Sequence, residues 1–151
     1  MKVARTAQAG PVRLAPNHFG KELLRVNIAL CDDGPALRRM MEAMIHSYEV
    51  KNTVRFRICH FDSGEELLEK FLEKKTRFEL IFLDQCMKKL SGVETALCIR
   101  EYDPACTIVF CTASEVLEQF AAVSPLTVLS KPVKMGDIFA VLDKVWAERR
   151  N

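Results

Sequence analysis

From Val26 onward, short apolar runs alternate with longer segments whose apolar residues recur every three or four positions. The first run is 26–31, Val-Asn-Ile-Ala-Leu-Cys. The segment after it opens near Pro35, a residue tolerated in a helix's first turn. It carries Leu37, Met40, Met41, Met44, Ile45 and Tyr48 on one helical face. Val54, Phe56 and Ile58 then alternate with Arg55, Arg57 and Cys59. That is a strand with one drier and one wetter face, as near a sheet edge. Ser63-Gly64-Glu65-Glu66 reads as a capping box opening a second helix, with Leu67, Leu68, Phe71 and Leu72 as its buried stripe.

Residues 80–83 are apolar on both faces, which predicts a central parallel strand. Ser91-Gly92-Val93-Glu94 is another capping signal, followed by Val93, Ala96, Leu97 and Arg100, and Asp103-Pro104 ends that helix. The fourth strand is 107–111. Val116, Leu117 and Phe120 mark a short fourth helix, and 127–130 is the fifth strand. The last helix places Met135, Ile138, Phe139, Leu142, Val145 and Trp146 on one face. Five strands alternating with five helices imply an α/β fold with a parallel sheet covered on both faces. With five strands, the flavodoxin-like doubly wound order 2-1-3-4-5 is expected.

The length of 151 residues suits one domain with a sizeable core. A net charge of +2 makes no case for nucleic-acid or membrane binding. No run approaches the length of a membrane span, and no signal peptide is visible, so a cytoplasmic location is expected. Residues 1–25, punctuated by Gly10-Pro11, Pro16 and Gly20, are expected to form a flexible extension, with the domain at 26–151. The six cysteines are scattered without a C-x-x-C pair and read as buried or half-buried thiols. The three histidines do not cluster with paired cysteines, which argues against zinc.

Candidate chemistry collects at the strand ends. Asp32 and Asp33 follow the first run, Asp84 closes the third, Thr112 the fourth, and Lys131 follows the fifth. In a doubly wound sheet these ends share one edge, and function gathers at the switch in strand order. Order 2-1-3-4-5 puts Asp32-Asp33 beside Asp84. Three close carboxylates repel each other, and a hard divalent cation relieves the repulsion; oxygen-only ligation suits Mg²⁺. Asp32 and Asp33 are thus candidate metal residues, and Asp84 a candidate metal ligand and nucleophile. A carboxylate that attacks phosphorus forms an aspartyl-phosphate. Lys131 and the Thr112 hydroxyl would then meet the charge on the equatorial phosphoryl oxygens. Each residue alone also has a bland reading, as a cap, a loop residue or a solvated charge; their joint order carries the argument.

These pieces resemble the receiver domain of bacterial two-component response regulators. The resemblance rests on Ile28-Ala29-Leu30-Cys31-Asp32-Asp33, on 61–67 (Phe-Asp-Ser-Gly-Glu-Glu-Leu) and on 80–87 (Leu-Ile-Phe-Leu-Asp-Gln-Cys-Met). Ser91-Gly92-Val93-Glu94-Thr95-Ala96, Thr112-Ala113 and Lys131-Pro132 complete it, and it spans about residues 26–148. The wording is most similar to receivers that carry a LytTR-type DNA-binding domain. The resemblance implies Asp84 as the phosphoacceptor loaded by a histidine kinase. It implies Mg²⁺ at Asp32 and Asp33, with the Cys86 backbone carbonyl as a further ligand. It also implies Thr112 as the switch hydroxyl, Lys131 as the phosphate-pairing lysine, and a cis Lys131-Pro132 bond. Phosphorylation would reshape the face of helix four and strand five, through which a homodimer is possible. DNA would be reached only through an output domain absent from this chain. Such a protein is a switch rather than an enzyme with a separate substrate.

Three departures stand out. Lys88 occupies the place where the family usually has a proline after the methionine. Gly34 follows the acidic pair where an acidic or polar residue is common. Val128 stands where an aromatic residue often rotates inward on activation. The alternative is a pseudo-receiver, a binding module that takes no phosphate. A haloacid-dehalogenase-type phosphatase would place a second Asp two residues after the nucleophile, where this chain has Cys86. A nucleotide binder would want a glycine loop, and Gly64 and Gly92 are isolated.

Overall fold

The computed structural model describes residues 26–74, 76–113 and 118–150. The expected extension 1–25, and Val116 and Leu117 of the expected fourth helix, lie outside the described residues. In chain order come β1 (Val26–Cys31), α1 (Pro35–Asn52), β2 (Phe56–Phe61), α2 (Gly64–Leu72), β3 (Leu80–Asp84) and α3 (Gly92–Tyr102). β4 (Thr107–Thr112), a 3₁₀ helix (Glu118–Val123), β5 (Thr127–Ser130) and α4 (Met135–Arg150) follow. The five strands are parallel in the order β2-β1-β3-β4-β5. The expected doubly wound order is therefore the one observed.

Alternation along the strands sends successive residues to opposite faces and builds two cores. Ile28, Leu30, Leu80, Phe82 and Val109 pack with Met41, Ile45 and Tyr48 of α1 and with Ile138, Leu142 and Val145 of α4. Ala29, Cys31, Ile81, Leu83 and Phe110 pack with Leu67 of α2, with Val93, Ala96 and Ile99 of α3, and with Phe120 of the 3₁₀ helix. β3 is buried along its whole length because both faces are covered and both edges are paired. β2 lies at a sheet edge, and its exposed Arg57 and His60 fit that position.

Local signals held unevenly. Ser91 and Glu94 form a complete capping box on α3. Ser63 accepts from the Glu66 N–H, but the Glu66 carboxylate reaches back to the Asp62 N–H, so that box is only half made. Leu72, Met40, Leu97 and Met135, placed on buried stripes by periodicity, are all exposed. Leu72 and Met135 are terminal residues of their helices. Val141 and Glu49, passed over by the stripe, are buried instead. Glu49 is held there by the Phe56 N–H at 2.6 Å and by His46 at 2.6 Å. The fourth helical segment is 3₁₀ rather than α. Phe120 anchors it by stacking on Phe110, ring centroids 4.2 Å apart, and Arg100 donates to the Val123 carbonyl at 2.8 Å. Among the described residues no helix is long and apolar enough to cross a membrane.

Candidate functional site

The strand order does the assembling. β1 and β3 are neighbours, with Cys31 opposite Leu83, so the residues that follow them emerge together. β4 lies beside β3, with Cys111 opposite Asp84, and β5 beside β4, with Ser130 opposite Thr112. All five candidate side chains thus arise at one edge of the sheet. Asp32, Asp33 and Asp84 each offer a carboxylate oxygen within 4.8 Å of the others. Asp32 and Asp84 are buried and Asp33 is exposed, so the cluster has two fixed walls and one open side.

Lys131 reaches across the sheet edge into this cluster. Its ammonium donates to Asp32 Oδ2 at 2.9 Å and to Asp84 Oδ1 at 3.1 Å. The Lys131 N–H donates to the Thr112 carbonyl at 2.9 Å, which ties the lysine to the residue carrying the hydroxyl. The Lys131-Pro132 bond is cis. Thr112 is buried. Asp32 is further held by the Gly34 N–H at 2.8 Å on Oδ1, and its own N–H donates to the Phe61 carbonyl. Asp84 Oδ1 also accepts from the Cys86 N–H at 3.4 Å.

Charge follows from this crowding. Burial, then the neighbouring Asp32 charge, pushes the Asp84 carboxyl above its usual range, against the opposing pull of Lys131. Burial alone would lower the Lys131 ammonium, but its bonds to Asp32 and Asp84 outweigh that and leave it raised. Lys131 therefore stays charged at neutral pH and occupies the place where a second cation or an anionic group would interact with the same carboxylates. Burial pushes the Cys31 and Cys111 thiols up to about 12, so neither is a nucleophile at neutral pH.

The loop after β3 is held from below. The Gln85 side chain accepts from the Val93 N–H at 2.9 Å, and its carbonyl accepts from the Gly92 N–H at 3.0 Å. A Cβ on Gly92 would stand 2.5 Å from the Asp84 carbonyl oxygen, so only glycine lets α3 start this close to the strand end. Cys86 is exposed in this loop. Val128, on the strand beside β4, is half-buried opposite Phe110. One contributor was missed from sequence. Arg38, one turn into α1, donates to the Asp32 carbonyl and, through Nε, to His60 Nδ1 at 3.2 Å. A helix opening at Pro35 puts residue 38 over the preceding loop, which was the available signal.

The profile of the response regulator receiver domain matches residues 28–143. The chain belongs to the response regulator receiver family. The response regulator receiver protein CpdR of Brucella abortus is 28% identical over 127 residues, covering 78% of this receiver and 94% of that protein. The positive alginate biosynthesis regulatory protein of Pseudomonas aeruginosa is 31% identical over 125 residues, 79% of this receiver but 46% of that protein. Among solved structures, a CheY-like receiver domain protein from Methanospirillum hungatei superposes with a TM-score of 0.70 at 16% identity, covering 83% and 96% of the two chains. Chemotaxis response regulator CheY4 of Vibrio cholerae gives 0.68 at 21% identity, covering 80% and 98%. The receiver domain is thus a component of two-component signalling, and its fold is that of the CheY-like proteins.

Proposed function

We propose that this receiver is a phosphorylation-driven switch, loaded on Asp84 by a histidine kinase in a Mg²⁺-dependent transfer. The observation that carries the reading is the Lys131 ammonium in contact with Asp32 and Asp84 at once, within hydrogen-bond distance of both. A lysine so placed can follow charge from the free carboxylate to a phosphoryl oxygen without leaving the site.

The donor set fits a hard cation, since Asp32, Asp33 and Asp84 present oxygen only and converge within 4.8 Å. Asp32, Asp33 and Asp84 would hold Mg²⁺, with the exposed Cys86 segment offering its carbonyl, and the bound ion would neutralise charge on the phosphoryl oxygens. The chain's own residues do the rest. Asp84 supplies the attacking carboxylate oxygen; a new O–P bond forms as the donor's bond to phosphorus breaks, and the donor departs with that electron pair. Lys131 pairs with one phosphoryl oxygen in place of part of its bond to Asp84. The Thr112 hydroxyl, on the adjacent strand end, donates to another. Gly92 and Gln85 fix the backbone behind Asp84, so that the nucleophile is pre-positioned.

The phosphorylated state is read on the face of the 3₁₀ helix and β5, by a partner, a second copy or a DNA-binding output domain. Val128 stands in that strand, and the aromatic contact beneath the face is the buried Phe110–Phe120 stack. The protein turns over no separate substrate and works in the cytoplasm. Intact-mass spectrometry after incubation with Mg²⁺ and acetyl phosphate tests this. One phosphoryl adduct is expected on the wild type, and none on Asp84→Asn or without Mg²⁺. An unlabelled wild type, under conditions that label a known receiver, favours the phosphate-independent binding module that Val128 and Lys88 leave open.

A further inference from the structure

A cleft of about 380 Å³ opens beside the carboxylate cluster, and its two walls carry opposite charge. Asp33, Asp62, Ser63 and Glu65 reach it from the ends of β1 and β2, and Lys88 and Lys89 from the end of β3, the strand on the other side of β1. The acidic wall comes from the β1–α1 loop, the β2–α2 loop and the first turn of α2; the basic wall is the loop that leaves Asp84. Both lysines are exposed. Among the described residues neither ammonium is ion-paired, although carboxylates line the same cleft. Hydrated, flexible ammonium groups gain little from distant carboxylates across water. Exposed as they are, both can meet an anion from solvent.

Any phosphoryl donor is an anion that must approach a centre holding Asp32, Asp33 and Asp84. Among the described residues the ammonium that contacts that centre, Lys131, is already engaged by two of them. Approach from the acidic wall is repelled. We propose that Lys88 and Lys89 form the anion entrance to Asp84, drawing the phosphoryl dianion of the donor in along the basic wall. The lysines are positioning residues: they raise the local donor concentration and take no part in bond making. This rests on the reading of Asp84 as phosphoacceptor and adds the route by which its substrate arrives. It also gives a role to Lys88, one of the departures from the family pattern.

The test is the rate of acetyl phosphate labelling of the full chain, read by intact mass, at low and at high ionic strength. Steering by surface charge changes association by about 10-fold or more and fades as the Debye length falls from about 30 Å at 0.01 M to about 3 Å at 1 M. The double variant Lys88→Ala/Lys89→Ala is expected to label about 10-fold more slowly in dilute buffer, converging on the wild type in high salt. Lys88→Glu/Lys89→Glu is expected to be slower still, and Lys88→Arg/Lys89→Arg to restore the rate. Equal rates in dilute buffer overturn the inference while leaving Asp84 as acceptor intact. A deficit that persists in high salt also overturns it, since that marks a loop defect rather than a field. A wild type that takes no label overturns the acceptor reading and this route with it.

Discussion

Replacing Lys131 by methionine removes the ammonium and keeps much of the apolar stem. The nitrogen lies 2.9 Å from Asp32 and 3.1 Å from Asp84. At an effective dielectric near 20, each contact is worth about 5–6 kcal/mol of gross attraction. The carboxylate oxygens lie within 4.8 Å of one another; on the same scale they repel by about 3–4 kcal/mol or more. The gross sum does not survive as stability, because the lysine side chain, 22% exposed, has lost most of its hydration. Removing one partner from a buried charge set costs about 3–5 kcal/mol, and partial exposure here brings the expectation down to about 2–3 kcal/mol. The assay is urea unfolding near neutral pH without divalent cation, read as a fall in midpoint at constant m.

Two dependences separate charge from packing. Asp84 has its folded pKa raised by burial and by Asp32. Between its unfolded value and that raised folded value, the native state binds the extra proton, so stability falls as pH rises through the window. Without Lys131 the window extends further upward. The deficit of Lys131→Met should therefore shrink as pH falls toward about 4. Mg²⁺ should return more stability to the variant than to the wild type, because no ammonium competes for the same oxygens. A loss under about 0.5 kcal/mol, or an equal deficit in acid and at neutral pH, would refute the electrostatic account.

Gly92→Ala should cost about 2 kcal/mol or more and slow labelling of Asp84, since the added methyl meets backbone at 2.5 Å from the Asp84 carbonyl and 2.9 Å from Gln85 Cα; thermal unfolding and labelling rate check it. His46 is held above its usual value chiefly by its hydrogen bond to Glu49. That contribution is complete below the unfolded value of 6.5 and is lost as pH rises through the raised folded value. The melting temperature should thus decline slightly over that range, the ring being largely exposed, and Glu49→Gln should flatten the decline. Tyr48→Phe removes the hydroxyl that donates to Asp143 Oδ1 at 2.8 Å and should lower stability by about 1 kcal/mol in urea; an unchanged midpoint would mean that this link between α1 and α4 contributes nothing.

The sequence alone determined the strands, because the period of apolar positions is a local property. Residues 80–83 are apolar on both faces, which only a central parallel strand uses, and β3 is that strand. The acidic pair, Asp84, Thr112 and Lys131 were legible as strand-end residues, since strand ends are also set by local pattern. Ser91 and Glu94 announced their helix because a capping box is complete within four residues. What depended on distance along the chain was decided by tertiary structure. Lys131 meets Asp32 across 99 residues, and no local signal chooses which carboxylate an ammonium will find. Arg38 reaches His60 only because β1 lies next to β2. Glu49 is buried because a β2 N–H comes to meet its carboxylate. The segment at Phe120 became 3₁₀ because stacking on Phe110 and the Arg100 contact hold it, terms that helical periodicity does not contain. The facing walls of the Lys88–Lys89 cleft belong to the same class: three loops far apart in sequence set the field there, and only the folded sheet edge brings their charges together.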